Sequence, residues 1–182
     1  MSYLYVIDLD ETCGEPPGSP IPDGTPDSAL IWVSSECGYF VPYQHVRECV
    51  EKWNELGYKI AVWSRGLPRY VYSIVSALFP KVPLLFVWTI EECSLVDNNY
   101  IKDLATVVQM YPQFTGHVCL IDDEKVQCDY NTTHGFECIQ APHPPFRYRY
   151  TDYMFWHDLA ANAIEKMSNT QENRRKYPIQ KT

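Results

Sequence analysis

Short apolar runs of strand length alternate along the chain with stretches of helical spacing. Tyr3-Leu4-Tyr5-Val6-Ile7 is β-branched and aromatic throughout, the length of one buried parallel strand. Residues 13–41 break the pattern with proline- and glycine-rich turn chemistry, beginning Cys13-Gly14-Glu15-Pro16-Pro17-Gly18. Within them, 29–33 and 39–41 predict a short hairpin around residues 34–38, so the segment leaves the top of the first strand and returns beside it. From Pro42 the period lengthens: Val46, Cys49, Val50, Trp53 and Leu56 fall on one helical face, closed by Gly57. Residues 58–64 predict a second buried strand, and Pro68 opens a helix with Tyr70, Val71, Ile74, Val75 and Leu78 facing inward. A third strand is expected over 84–88, a shorter helix over 101–110 with Lys102 at its start, a fourth strand over 117–121 and a fifth over 136–140. An amphipathic helix over 153–167 closes the pattern, and 168–182 is polar and basic, as expected of a disordered tail. Asn131-Thr132-Thr133 fits a glycosylation sequon and reads as a loop.

Strands alternating with helices predict an α/β domain over residues 1–167, built on a doubly wound parallel sheet with helices on both faces. Residues 13–41 form a flap or insertion near its site, too short and loop-like for a large cap domain. No apolar run approaches the roughly 20 residues needed to span a bilayer. The first strand starts at Tyr3, so no secretory or transit peptide is expected. The seven cysteines form no C-x-x-C pair and are odd in number, so they are expected to be reduced thiols in an intracellular compartment, cytoplasmic or nuclear. The net charge of −8 is uneven: residues 1–138 carry 19 acidic and 8 basic side chains, whereas 139–182 carry 4 and 7. An acidic body disfavours a polyanionic partner.

Candidate chemistry collects at the strand ends. The first strand runs into Asp8-Leu9-Asp10-Glu11-Thr12, and a regular strand would turn both aspartates to one side. The second ends in Ser64, followed by Arg65, and the fourth ends in Asp122-Asp123; Lys102 supplies a cation. In a parallel sheet all carboxyl ends lie on one edge, so residues a hundred apart converge. Carboxylates that close need a cation or a shared proton between them, and an all-oxygen set suits magnesium. The set fits phosphoryl transfer: one carboxylate attacks phosphorus, a second moves the proton, and a lysine and a hydroxyl hold the phosphoryl oxygens. The five histidines show no ligand spacing and are expected to be structural or exposed.

Asp8-Leu9-Asp10-Glu11-Thr12 resembles the first motif of the haloacid dehalogenase (HAD) superfamily of phosphatases. Ser64, Lys102 and Ile121-Asp122-Asp123 resemble the later motifs in order and spacing, over about residues 3–140. Within the superfamily, this first motif and Asn99-Tyr100-Ile101-Lys102-Asp103-Leu104 are most similar to the small RNA polymerase II C-terminal-domain phosphatases, the group of the NLI-interacting-factor-like enzymes. The resemblance implies a HAD-like fold, a Mg2+ cofactor and phosphomonoester hydrolysis through an aspartyl-phosphate. Asp8 would be the nucleophile, Asp10 the general acid and base, and Lys102 a catalytic and phosphate-binding cation. Thr12, Ser64 and Arg65 would face substrate, while Asp8, Asp10 (through its backbone carbonyl), Asp122 and Asp123 would hold the metal. It also implies a phosphorylated macromolecule as substrate, a phosphoserine or phosphothreonine protein first. The chain departs from the group at Val41-Pro42-Tyr43 and at Thr89-Ile90, where arginines are usual, which bears on peptide specificity. Ile121-Asp122-Asp123-Glu124 with Gly135-Phe136-Glu137-Cys138-Ile139-Gln140 is similar to phage-type polynucleotide kinase-phosphatases, which keeps a nucleic-acid end phosphatase as the alternative. An inactive phospho-binding scaffold is the third reading, and the retention of Asp8 and Asp10 counts against it.

Overall fold

The computed structural model describes residues 3–144 and 148–176, with side chains through residue 165. In chain order the strands and α-helices are β1 (Leu4–Ile7), β2 (Gly14–Glu15), β3 (Ile31–Ser34), β4 (Gly38–Pro42), α1 (Val46–Glu55), β5 (Lys59–Trp63), α2 (Pro68–Leu78) and β6 (Leu84–Trp88). There follow β7 (Ser94–Val96), β8 (Asn99–Ile101), α3 (Leu104–Met110), β9 (Val118–Asp122), α4 (Lys125–Thr133), β10 (Glu137–Gln140) and α5 (Phe155–Lys176).

Five strands form the expected parallel sheet in the order β10-β9-β1-β5-β6. Side chains leave each strand on alternate faces, which divides the core in two. Ile7, Ile60, Val62, Cys119 and Ile121 face α1, α2 and α5, while Leu4, Val6, Ala61, Trp63, Val118 and Leu120 face α3. The inner faces of α1 and α2 are the predicted ones: Val46, Cys49, Val50 and Trp53, then Val71, Ile74, Val75 and Leu78. The chain runs outward from β1 through β5 to β6 and then returns to β9 on the other side of β1. That reversal opens a crevice at the carboxyl ends of β1 and β9, where α/β folds bind ligands.

The insertion is a three-stranded antiparallel flap, β2-β4-β3, rather than a hairpin alone. Gly14 lets β2 lie against β4, because a Cβ there would come within 2.3 Å of the Val41 carbonyl oxygen.

Several expectations need correcting. Residues 101–110 are not one helix: Ile101 closes a β7–β8 hairpin turned at Asp97 and Asn98, both at positive φ, and Asp103 caps α3 by accepting the Ala105 N–H at 2.9 Å. Asn131-Thr132-Thr133 lies in α4, with Asn131 fully buried, and is not a loop. α5 continues to Lys176, past the expected boundary at Met167, because no glycine or proline interrupts 168–176. The rest of the expected tail, 177–182, lies outside the described residues. Nor are all the cysteines free: α4 packs on β10 and joins Cys128 to Cys138 in a disulfide, leaving Cys13, Cys37, Cys49, Cys93 and Cys119 as thiols.

Candidate active site

Asp8 is the first residue beyond β1, and its N–H still donates to the Ile121 carbonyl at 2.9 Å, so the sheet fixes its position. The strand does not continue through Asp10 as a regular strand would. The chain turns at Glu11, which has a positive φ of 58°, and Asp10 bridges to Gly14. Both aspartates nevertheless line one cleft of ≈ 380 Å³, together with Glu11, Arg65, Lys102 and Asp123.

Lys102 is 1% exposed and lies between two carboxylates, 2.7 Å from Asp122 Oδ2 and in contact with Asp8 Oδ1. Burial alone would lower its pKa, but Asp122 and Asp8 together hold the ammonium above its ordinary value. Burial likewise raises the carboxyls: Asp8 to about 6 and Asp122 to about 6 against Lys102's opposing pull, and Asp123 and Asp10 upward as well. Asp8, Asp122 and Asp123 bring ligand oxygens within 4.8 Å of one another. One lysine faces three buried carboxylates, so the site retains negative charge and offers only oxygen donors. Those are the conditions a hard divalent cation meets.

The two adjacent acids are not equivalent. Both Asp122 oxygens are engaged, Oδ2 by Lys102 and Oδ1 by the Glu124 N–H at 2.9 Å. Asp123 borders the cleft. Thr12, expected at the substrate, is fully buried and acts between the acids instead. Its hydroxyl accepts the Asp123 N–H at 2.9 Å, and its one proton is shared between Asp123 Oδ1 at 2.9 Å and Asp8 Oδ2 at 3.2 Å. The Thr12 carbonyl accepts the indole N–H of Trp156 at 3.0 Å, which ties the acidic loop to α5.

Asp10 stands apart from the three clustered carboxylates and accepts the Tyr70 hydroxyl on Oδ1. Burial raises its carboxyl, the direction a general acid needs. Ser64 is buried, and its Oγ accepts the Gly66 N–H at 3.0 Å; Arg65 and Gly66 rather than Ser64 border the cleft there. Arg65 pairs with Glu124 across the opening. His143, expected to be structural or exposed, is exposed but stands at the rim, with Nε2 3.4 Å from Asp123 Oδ2.

Sequence reasoning missed two residues that set Lys102 in place. Gln127 Oε1 accepts the Lys102 N–H at 3.0 Å, and its Nε2 donates to the Tyr100 carbonyl at 2.9 Å. Asn131 Nδ2 donates to the Lys102 carbonyl at 2.9 Å, and its Oδ1 accepts the Leu104 N–H at 3.0 Å. Two amides one helical turn apart thus clamp the backbone over residues 100–104. They occupy the buried face of α4 where apolar residues would stand, which hides the helix from hydrophobic periodicity. The Gln-x-x-x-Asn spacing is the signal that could have revealed it. Asn131→Ala should strip two backbone groups of their partners and cost about 1–3 kcal/mol of stability. It should also lower kcat/KM by about tenfold, because Lys102 loses its fixed approach. Thermal unfolding and turnover of p-nitrophenyl phosphate read the two effects; lost stability with unchanged turnover would make the clamp purely structural.

The sequence model of the NLI interacting factor-like phosphatases matches residues 3–140. The chain belongs to that family. The match to the NLI interacting factor-like phosphatases spans every residue placed at the cleft above except His143. No curated protein matches the chain significantly. Among solved structures it is similar to the fission yeast RNA polymerase II CTD phosphatase Fcp1 bound to beryllium fluoride, at 17% identity and a TM-score of 0.53. That likeness covers 77% of this chain and 41% of the Fcp1 chain, so the family member described here spans less than half of that relative. A hypothetical protein from Xanthomonas campestris is similar at 9% identity and a TM-score of 0.53, over 97% of this chain and 89% of the other. At these identities the structures speak for the fold.

Proposed function

We propose that this phosphatase is a magnesium-dependent phosphomonoester hydrolase that works through an aspartyl-phosphate on Asp8 and acts on phosphoserine or phosphothreonine in protein. The observation that carries the reading is the setting of Asp8, a buried carboxylate held between Lys102 and Thr12 and open to a cleft shared with Asp10. An Asp8 oxygen attacks phosphorus, the bond to the ester oxygen breaks, and Asp10 gives that oxygen its proton. Asp10 then takes a proton from the water that attacks the phosphoaspartate, which releases phosphate and restores Asp8. Lys102 offsets charge on the phosphoryl oxygens throughout. Asp8, Asp123 and the Asp10 backbone carbonyl would hold Mg2+, with Asp122 behind them, since Asp8, Asp10 and Asp123 line the cleft and Asp122 does not. Bound there, the ion would supply positive charge against the phosphoryl oxygens.

A macromolecular substrate follows from the flap. Three short strands are too small to serve as a lid domain, and a bulky substrate can exclude water itself. Between protein and nucleic acid, the excess of acidic side chains over residues 1–138 disfavours a phosphate backbone.

Turnover of p-nitrophenyl phosphate should fall at least about a hundredfold in EDTA and return with added magnesium. Full activity in the chelator would overturn the metal assignment. With magnesium present, kcat/KM should be highest for phosphopeptides among phosphopeptides, 3′- and 5′-phosphorylated oligonucleotides and sugar phosphates. A preference for sugar phosphates would defeat the open-cleft argument, and one for oligonucleotides would replace the protein substrate with a nucleic-acid end.

A further inference from the structure

A second cleft of ≈ 330 Å³ adjoins the catalytic one, between the start of the flap and His143, Pro144 and Tyr148. Glu11 lines both clefts and so stands between them, and His143 beside Asp123 marks the border. Glu15 Oε1 accepts the hydroxyls of Tyr43 and Tyr148, each at 3.2 Å, which fixes the carboxylate between two aromatic rings. Those rings meet edge to face with centroids 6.3 Å apart. Both phenols are held above their ordinary pKa by burial and by Glu15, so they remain donors. Glu11 and Asp23 add two exposed carboxylates at the rim. Among the described residues no lysine or arginine lines this cleft, none of Glu11, Glu15 and Asp23 pairs with one, and the basic side chain on its wall is His143, within 4.8 Å of Glu11 and Asp123.

Three carboxylates and the partly exposed Tyr148 ring around one hollow, with Tyr43 buried behind Glu15, make it complementary to a cation on an aliphatic stem. The stem packs on the partly exposed Tyr148 ring, and the charge meets that ring and the carboxylates. A carboxylate or phosphate in the same place would meet three like charges, and an apolar side chain would strip water from Glu15 with nothing in return. We propose that this cleft takes the lysine or arginine side chain of a residue neighbouring the phosphorylated one, so that the enzyme selects basic phosphopeptides. The inference rests on the phosphoprotein reading above and narrows it. The fixed geometry of Glu15 favours arginine, whose planar group reaches a carboxylate and stacks on a ring at once.

The test is a set of phosphoserine peptides identical except for the flanking positions, which carry arginine, alanine, glutamate or leucine. Measured with magnesium at low salt, the arginine peptide should exceed the alanine peptide about tenfold in kcat/KM, chiefly through KM, with glutamate poorest. The advantage should shrink as salt is added. Glu15→Gln should reduce the arginine-to-alanine ratio to about twofold or less by removing the fixed charge between the rings. Asp23→Asn, at an exposed position that folding tolerates, should reduce the ratio in part and serves if Glu15→Gln does not fold. An arginine peptide no better than alanine, a preference for leucine or glutamate, or a ratio that survives both substitutions would overturn the pocket. The unaltered protein is assayed alongside on p-nitrophenyl phosphate. Its failure there would defeat the phosphatase mechanism itself, and turnover there but of no peptide would defeat the phosphoprotein reading; turnover of peptides without the preference removes only the cation pocket.

Discussion

Asp8→Asn is expected to lower turnover of p-nitrophenyl phosphate by about a thousandfold or more, since a carboxamide is a poor nucleophile. The substitution keeps the shape of a side chain that is almost wholly buried, so the fold should survive it. The amide oxygen can still face Lys102, and its nitrogen can face Thr12 in place of the second oxygen. Phosphate should therefore still bind while chemistry stops, which separates this variant from one that merely empties the site. Far-ultraviolet circular dichroism checks the fold, and single-turnover kinetics check the chemistry. Retention of more than about a tenth of the activity would mean that Asp8 is not the residue phosphorylated.

Lys102→Met should cost about a hundredfold or more in kcat/KM, because one fixed charge is lost opposite the phosphoryl oxygens. The methionine stem fills most of the same space, so packing is largely kept. Stability should fall as well, since Asp8 and Asp122 are left buried without their cation. Removing one partner of a buried pair costs up to about 3–5 kcal/mol. That loss should be largest in EDTA and smaller with magnesium, whose charge would replace part of the missing one. Melting curves of both proteins in chelator and in magnesium test this. A variant as stable as the parent in EDTA would show that the carboxylates do not depend on Lys102, and near-normal activity would remove it from the chemistry.

Most of the sheet was legible in the residues because β1, β5, β6 and β9 are short apolar runs, and β1 and β9 run directly into acids. Burial on both faces demands such a run, and a parallel sheet places all those ends on one edge. Asp8, Asp10, Arg65 and Asp123 meet at one cleft for that reason, although they are spread over more than a hundred residues, and the separate β7–β8 hairpin delivers Lys102 to them. Thr12 and Ser64 were legible as polar groups at strand ends but not as buried ones: which way a hydroxyl turns depends on the loop folded over it, here the Asp123 and Gly66 amides. Helix α4 escaped notice because Gln127 and Asn131 occupy its inner face, and polar residues there are stable only once the backbone at 100–104 arrives to bond them. The same packing joined Cys128 to Cys138 across α4 and β10, a pairing that spacing alone does not specify. The acidic second cleft belongs to tertiary structure entirely. Glu15, Tyr43 and Tyr148 lie on separate segments and become one wall only when β2 pairs with β4 and both phenols reach Glu15, a long-range closure that no local pattern encodes.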